Sequence, residues 1–317
     1  MMVLSIPRLQ IDWHHDPNLT TCPAQLLTED LFLYNLSMER PSCWNRQAFH
    51  SLLRRRSTFS TYDRETTVKG STGRNGPLKR LFMSEDDHFK RIYAQQAEGY
   101  DALIRCHDVE GNLLRALTDL HPLEGSEVVE FGAGTGRVTA LLAPRVRTIR
   151  AFDESGAMLA VAERRLAEAN ITNVTLASAP NTGLPVANNS ADLTIQGWSF
   201  GHATGWYPDS WRDKIGKMLA EMSRITRPGG TLINIETQGT GFETPRAPFE
   251  VLADYYTWLE QEHGFAFKWI RMDYTFDSLE ESEKWMRFFF GDEMGERVVK
   301  NNWLVVPECA GIWWKTL

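Results

Sequence analysis

Short apolar segments alternate with amphipathic segments through the middle of the sequence. The apolar segments are rich in β-branched side chains, which favours strands, and the segments between them repeat apolar side chains at helical spacing. Such alternation builds a parallel sheet with helices on both faces. The predicted strands are residues 127–131, 148–152, 173–177, 191–196 and 231–236, and the predicted helices between them are 138–142, 155–169 and 210–226.

The same patterns continue on both sides of this region. Two amphipathic helices are predicted before it, at residues 88–101 and 108–120. A helix, a strand, one or two helices and a final strand are predicted after it, at residues 248–263, 265–276, 279–300 and 303–315. The predicted fold class is therefore α/β, a doubly wound, seven-stranded, mostly parallel sheet. The helices at 279–300 are predicted to form a helical cap insertion over its ligand edge.

Residues 1–82 differ from the rest of the chain. They show no sustained helical or strand period, and they combine an arginine run at 54–56 with Ser/Thr-rich and Gly-rich stretches. This composition predicts a disordered N-terminal extension followed by one domain at residues 83–317. The apolar run at residues 31–36 is the segment that would contact the domain if the extension packs against it.

The overall charge limits the class of partner. The chain has 34 Lys and Arg against 41 Asp and Glu, a net charge of −7, which does not favour binding to a nucleic-acid backbone. There is no apolar run long enough to span a membrane and no signal-like N-terminus, which predicts a cytoplasmic protein. The four cysteines are too scattered to indicate disulfides or a metal site.

Three alternating glycines follow the first predicted strand. Gly132, Gly134 and Gly136 allow positive φ and close approach of a ligand, and the next helix would direct its N–H groups towards an anionic group. A dinucleotide-binding G-x-G-x-x-G pattern would require glycine where Arg137 stands. The pattern is instead Glu130-x-Gly-x-Gly-x-Gly.

Several further segments accompany this motif in a fixed order: residues 93–101, 152–159, 184–185, 191–202 and 227–230. Together with the glycine motif they resemble the class I S-adenosylmethionine-dependent methyltransferases, in particular the type-11 small-molecule branch. The resemblance implies a Rossmann-like methyltransferase fold and S-adenosylmethionine as cofactor. It also implies in-line transfer of the methyl group to a small-molecule acceptor, which needs no metal.

The resemblance also implies a set of cofactor-binding residues. The methionyl part would lie along the glycine loop, the ribose on Asp153 and the adenine against Met158, while Glu130 would hold the loop or meet the amino group. Asn181 or Ser178 would replace the acidic residue that the family usually places after the third strand. The full predicted set is Tyr93, Tyr100, Glu130, Gly132, Ala133, Gly134, Gly136, Asp153, Glu154, Met158, Asn181, Gln196 and Trp198.

One histidine is a candidate for proton transfer. His202 follows the fourth predicted strand, at the edge where open α/β sheets bind substrates. It would act as general base if the acceptor must lose a proton, and otherwise it would be a packing residue. Trp285, Phe288 and Phe289 would either close over an apolar substrate or belong to the core.

Two other functions fit part of the pattern. One is a nicotinamide-dependent oxidoreductase, since the spacing from Gly134 to Asp153 also suits NAD. The other is a cofactor-binding, methyltransferase-like protein that acts on or within a macromolecular complex.

The predicted boundary at Met83 can be tested by truncation. A chain that begins at Met83 should melt within a few degrees of the full chain and bind S-adenosylhomocysteine equally well, because every predicted strand lies after that residue. Thermal melts and calorimetry measure both properties. An insoluble shorter chain would show that residues 1–82 contribute to the fold, with 31–36 as the first segment to mutate.

Overall fold

The computed structural model describes residues 85–317, and its central element is a seven-stranded sheet in the order β3-β2-β1-β4-β5-β9-β6. The predictions for residues 1–82 lie outside the described residues. Every strand of the sheet is parallel to its neighbours except β9, which pairs antiparallel with both β5 and β6. A separate two-stranded sheet pairs β7 with β8. The strands are β1 Glu127–Phe131, β2 Thr148–Asp153, β3 Val174–Ser178, β4 Ala191–Gly197, β5 Thr226–Thr240, β6 Ala266–Arg271, β7 Tyr274–Thr275, β8 Val305–Val306 and β9 Glu308–Thr316.

Helices cover both faces of the sheet, and together with the strand order they confirm the predicted fold class. They are α1 Glu85–Gln95, α2 Ala97–Ile104, α3 Asn112–Leu120, α4 Arg137–Leu142, α5 Gly156–Glu168, α6 His202–Trp206, α7 Trp211–Ile225, α8 Glu250–Gln261, α9 Leu279–Phe290 and α10 Asp292–Asn301. Two apolar clusters fill the space between the layers. Tyr255, Trp258 and Trp313 belong to one of these clusters, so these C-terminal aromatic residues are core.

Local hydrogen bonds explain several helix boundaries. Ser155 caps α5, because its hydroxyl accepts a hydrogen bond from the Met158 N–H at 3.3 Å. The helix predicted at 108–120 begins only at Asn112, because the Asp108 carboxylate accepts hydrogen bonds from the first backbone N–H groups of α3. The helix predicted at 88–101 is two helices, because Gln96 leaves the helical conformation with φ −133° and ψ 30°.

The fifth strand begins before its predicted start at residue 231. The Arg-Pro-Gly-Gly segment at residues 227–230 is part of β5, where the register against β4 shifts. Gly229 has a φ of +82°, and its N–H donates to the carbonyl of Leu317 at 2.7 Å. The segment therefore forms an irregularity that holds the end of the chain on β5.

The segment after α8 also differs from its prediction. The strand predicted at 265–276 is two strands, β6 and β7, and the final strand begins at Glu308 after the short β8. Helices α9 and α10 lie between them in the chain, as expected. Phe289 of α9 packs on Phe89 and Tyr100, with ring centroids 5.2 and 5.5 Å apart. Closure of these helices over a substrate stays a prediction.

The register of the parallel strands locates the site. Phe131 at the end of β1 lies opposite Phe152 on β2 and Gln196 on β4. The three segments that follow these residues therefore emerge side by side at the carboxyl edge of the sheet.

The irregular segment of β5 yields a stability prediction. A Cβ at Gly230 would lie 2.8 Å from the Asp192 carbonyl oxygen and 3.0 Å from that of Arg227. Because backbone atoms cannot move aside cheaply, Gly230→Ala should lower the free energy of unfolding by about 1–3 kcal/mol in urea titrations. Gly183→Ala is the matched control, since nothing lies within 4 Å of its Cβ. Equal stability of the two variants would contradict the packing described here.

Candidate functional site

A cavity of about 480 Å³ opens at the carboxyl edge of the sheet, between α1 and α2 on one side and the ends of β1, β2 and β4 on the other. It has the size of a typical small-molecule site. The predicted residues that line it are Tyr93, Tyr100, Glu130, Gly132, Ala133, Gly134, Asp153, Glu154, Met158, Asn181, Trp198 and His202. Gly136 and Gln196 belong to the predicted set but do not line it.

The glycine loop is held in a conformation that favours glycine. Gly132, Gly134 and Gly136 have φ values of +59°, +56° and +77°. A Cβ at Gly132 would lie only 2.0 Å from the Ser199 hydroxyl, so this glycine permits close packing of the loops after β1 and β4. A Cβ at Gly136 would lie 3.2 Å from the Cβ of Ala162 on α5, so this glycine serves helix packing, which explains its absence from the cavity wall.

Asp153 ties the glycine loop to the start of α5. Its Oδ2 accepts a hydrogen bond from the Gly134 N–H at 2.8 Å, and its Oδ1 accepts one from the Ser155 N–H at 2.7 Å. An ionised carboxylate has about four acceptor positions, so this group can accept further hydrogen bonds from a ligand. Burial raises the pKa of Asp153, while the two N–H groups favour its charged form.

Glu130 lies at the floor of the cavity. Its Oε2 accepts a hydrogen bond from the Thr139 hydroxyl at 2.6 Å, which ties β1 to α4. Burial raises the pKa of Glu130 to about 8, so the side chain is largely protonated at neutral pH.

Two buried side chains hold the loop after β4 in place through hydrogen bonds to its backbone. Gln196 Oε1 accepts hydrogen bonds from the N–H groups of Ser199 and Phe200 at 3.0 and 3.2 Å, and its Nε2 donates to Glu236 Oε1 at 3.0 Å. Glu236 also accepts from the Gly201 N–H at 2.9 Å, and burial raises its pKa to about 7. Gln196 is fully buried, so its amide positions the loop instead of facing the cavity.

Asn181 has one free acceptor at the cavity. Its Nδ2 donates to the Ser199 hydroxyl at 3.1 Å, whereas its Oδ1 is buried and has no hydrogen-bond partner in the described part of the chain. Ser178, the other residue considered for this position, is exposed and does not line the cavity. An unpaired buried acceptor favours a ligand that donates a hydrogen bond.

Aromatic rings form the wall on the side of α1 and α6. The Tyr93 hydroxyl lies 2.9 Å from His202 Nε2, and the His202 ring stacks on Trp206 with centroids 5.0 Å apart. Burial lowers the pKa of His202 to about 4, so its imidazole is neutral at physiological pH. Burial also raises the pKa of Tyr93, so its phenol stays protonated. We assign the hydrogen bond as donated by the phenol to Nε2.

Several lining residues were not part of the predicted set. Thr135 and Arg137 lie within and just after the glycine motif, and Ser199 and Trp206 lie on either side of His202. The sequence signal that could have identified these four residues is their position close to predicted site residues. Met218 is the exception, because it enters from α7 and no local pattern distinguishes it from core.

Two structural features are absent from residues 85–317. No helix there is long and apolar enough to cross a membrane. Over the same residues, no group of three or more His, Cys, Asp or Glu side chains is arranged to hold a metal ion.

Comparisons with known proteins agree with this geometry. The sequence profile of a methyltransferase domain family matches residues 128–230, which run from β1 to the irregular segment of β5. An uncharacterized methyltransferase of Geobacillus thermodenitrificans is 27% identical over 208 residues, which cover 60% of this chain and 91% of that protein.

Two other relatives have more specific names. A malonyl-[acyl-carrier protein] O-methyltransferase of Pectobacterium atrosepticum is 29% identical, over 47% of this chain and 54% of that protein. The ubiquinone/menaquinone biosynthesis C-methyltransferase UbiE of Rubrivivax gelatinosus is 31% identical, over 53% of this chain and 64% of that protein.

The matched domain contains the glycine loop, Asp153 and the loop after β4, which form one side of the cavity, whereas Tyr93 and Tyr100 on the other side lie outside the match. These matches favour methyl transfer over the alternative of a nicotinamide-dependent oxidoreductase, and they support the assignment of the chain as a class I S-adenosylmethionine-dependent methyltransferase.

Proposed function

We propose that this enzyme binds S-adenosylmethionine in the cavity at the carboxyl edge and transfers its methyl group to a small molecule bound in the same cavity. The observation that supports this most is the convergence of residues from three separate strands on one space of about 480 Å³. A cavity of that size accommodates a cofactor and a modest acceptor, and a net charge of −7 does not favour binding to a nucleic-acid backbone.

The residues present suit the cofactor. Asp153 offers acceptor positions to the ribose hydroxyls, and the unpaired Oδ1 of Asn181 offers one to the adenine amino group. Met158 is buried against Ala97 and Val161 and gives an apolar surface for the adenine ring. The glycine loop leaves the space beside Gly134 free of a Cβ. Bound there, the cofactor supplies an electrophilic methyl group on a sulfonium.

The protein contributes mainly alignment to an in-line displacement. Gln196 and Glu236 hold the loop that carries His202, and Ser155 holds α1 through a hydrogen bond of 3.1 Å to the Tyr93 carbonyl. The aromatic faces of Tyr93 and Trp198 can stabilise the positive sulfur. These contacts fix the two sides of the cavity relative to each other.

The acceptor would lie at the end of the cavity formed by α6. This end is lined by His202, Trp206, Tyr207 and Met218, which combine apolar surface with few polar atoms. Trp206 Nε1 is buried and has no partner in the described chain, so it is a free donor for an acceptor oxygen. The O-methyltransferase and C-methyltransferase named above differ in the atom that they methylate. Similarity to these relatives therefore does not indicate whether the acceptor atom is oxygen or carbon.

Proton removal from the acceptor would use the pair formed by Tyr93 and His202. The neutral imidazole is available as a base at physiological pH, and its Nε2 is already occupied by the phenol. A proton can therefore leave the acceptor directly to Nε2 after Tyr93 moves aside, or to the Tyr93 oxygen while the phenolic proton passes to Nε2. Either route returns the phenol to its starting state once the imidazolium loses its proton to solvent.

A cofactor-binding variant tests the assignment of Asp153. Asp153→Ala should weaken S-adenosylhomocysteine binding by about 1.5–3 kcal/mol, the range for a hydrogen bond to a charged group, as measured by calorimetry. Glu163→Gln is the matched control, because it removes one exposed carboxylate from α5 and should leave the affinity unchanged. Unchanged affinity in Asp153→Ala, or tighter binding of NAD than of S-adenosylhomocysteine, would contradict the proposal.

The role of His202 has a kinetic test. With an acceptor found by screening, His202→Ala should lower kcat about a hundredfold or more while cofactor affinity stays nearly constant. The unaltered enzyme should show no loss of kcat/KM from His202 protonation between pH 8 and pH 6, and the loss should appear only as pH approaches 4. A break near pH 6.5 would show that the imidazole is not desolvated as described.

Two alternatives, a packing role for His202 and action of the protein on a macromolecule, predict results that differ from those above. If His202 only packs on Trp206, His202→Ala should lower the melting temperature and leave kcat intact. If the protein acts on a macromolecule, it should bind S-adenosylhomocysteine normally and methylate no small molecule in a broad screen.

A further inference from the structure

Two lysine side chains lie over aromatic rings at the end of the cavity formed by α6. Lys90 of α1 lines the cavity, and its Nζ lies 5.3 Å from the centroid of the Trp206 ring. Lys214 of α7 places its Nζ 4.9 Å from the centroid of the Tyr207 ring, which lines the same end. Neither ammonium forms an ion pair with a side chain of residues 88–317. A ring face accepts none of the three N–H donors of an ammonium in a conventional hydrogen bond, so both lysines are available to an anionic group.

The acidic side chains that line the cavity lie at its other end. Glu130 belongs to β1, and Asp153 and Glu154 lie at the end of β2, beside the proposed cofactor site. Within the described part of the chain, α1, α6 and α7 contribute no acidic residue to the lining. The Asp213 carboxylate of α7 is paired with Lys217 at 2.8 Å. The lining of the α6 end therefore includes a cation and no carboxylate, although the chain as a whole carries a net charge of −7.

The buried N–H of Trp206 lies at the same end. Its Nε1 has no hydrogen-bond partner within the described residues, and an unpaired buried donor is unfavourable unless a ligand oxygen accepts from it. The neutral His202 imidazole stacks on the Trp206 ring with centroids 5.0 Å apart and does not occupy that N–H. Ala203 and Met218 add apolar surface to the lining of this end. A ligand that fits here has an apolar body and a negatively charged group with acceptor oxygens.

We propose that the methyl acceptor is an apolar acid whose anionic group binds to Lys90 and Trp206. This inference rests on the proposed function and identifies the class of its substrate. One oxygen of a carboxylate or phosphate accepts the Trp206 N–H, and another accepts from the Lys90 ammonium. Charge-assisted hydrogen bonds are stronger than neutral ones, so the anionic group anchors the acceptor, and Lys214 adds a second positive charge nearby. The atom that receives the methyl group then lies on the side of the acceptor that faces the proposed cofactor site.

The test uses three small probes that share a phenyl ring and differ in one group. They are 3-phenylpropionate, 3-phenylpropionamide and 2-phenylethyl phosphate, each titrated by calorimetry into protein saturated with S-adenosylhomocysteine. The titrations are made at neutral pH and low ionic strength, because Lys90 is exposed and salt would screen its charge. At least one of the two anions should bind roughly fivefold or more tightly than the amide. The tighter anion identifies carboxylate or phosphate as the group that is recognised.

Substitutions separate the contribution of the charge from that of the hydrogen bond. Lys90→Met removes the charge and keeps an unbranched side chain, so it should weaken anion binding roughly three- to tenfold and leave the Kd of the amide within about twofold. Trp206→Phe keeps an aromatic ring without the N–H, so it should weaken the anions and the amide alike, since the amide carbonyl accepts the same hydrogen bond. Lys214→Met should give a smaller loss, for the anions alone. Lys300→Met is the matched control, because it removes an exposed lysine outside the cavity and should change no Kd.

Several outcomes would overturn the proposal. They are equal binding of the anions and the amide by the unaltered protein, no binding of either anion, and anion binding that Lys90→Met leaves unchanged. A misfolded Trp206→Phe would lose S-adenosylhomocysteine as well, and Lys90→Met, at an exposed position, then decides the question. Failure of the unaltered protein to bind S-adenosylhomocysteine would refute the proposed function itself, whereas normal cofactor binding without a preference for anions would refute only the acceptor class.

Discussion

The site depends on the carboxylate of Asp153, which joins three segments of the chain. It accepts hydrogen bonds from Gly134 in the glycine loop and from Ser155 at the start of α5. Ser155 in turn donates from its hydroxyl to the Tyr93 carbonyl of α1. Each of these groups is at least half-buried, so water does not readily replace a hydrogen bond that is lost. Loss of one hydrogen bond therefore weakens the next one in the set. The cofactor site and the aromatic wall are thus stabilised by one connected set of hydrogen bonds.

A second buried set supports the opposite side of the cavity. Gln196 and Glu236 hold the N–H groups of the loop that leads to His202, so the position of the imidazole follows from two buried side chains that do not line the cavity. This explains why Trp198 keeps a φ of +54°, a conformation that is unfavourable for a large side chain. The local strain persists because hydrogen bonds on both sides of the loop determine its path. The strained loop thereby holds the aromatic rings at a fixed distance from the glycine loop.

Four side chains that line this cavity carry a buried polar atom without a partner in the described part of the chain, namely Thr135, Arg137, Asn181 and Trp206, and others such as His107 and Asn234 lie elsewhere. Buried polar groups are normally paired, so such a group at a cavity is available to a ligand. In the proposed function, Asn181 would offer an acceptor to the adenine and Trp206 a donor to the methyl acceptor.

The sequence by itself determined the strand and helix order and the ligand edge, because these follow from local periodicity and from the glycine motif. It also predicted Asp153 at the cavity, through its spacing from the motif, and Met158, through the resemblance to class I methyltransferases. The tertiary structure alone decided that Gln196 lies beneath the loop, that residues 227–230 continue β5, and that Tyr93 contacts His202. These outcomes depend on contacts between residues far apart in the chain, 109 positions in the case of Tyr93 and His202, and no local pattern encodes such contacts.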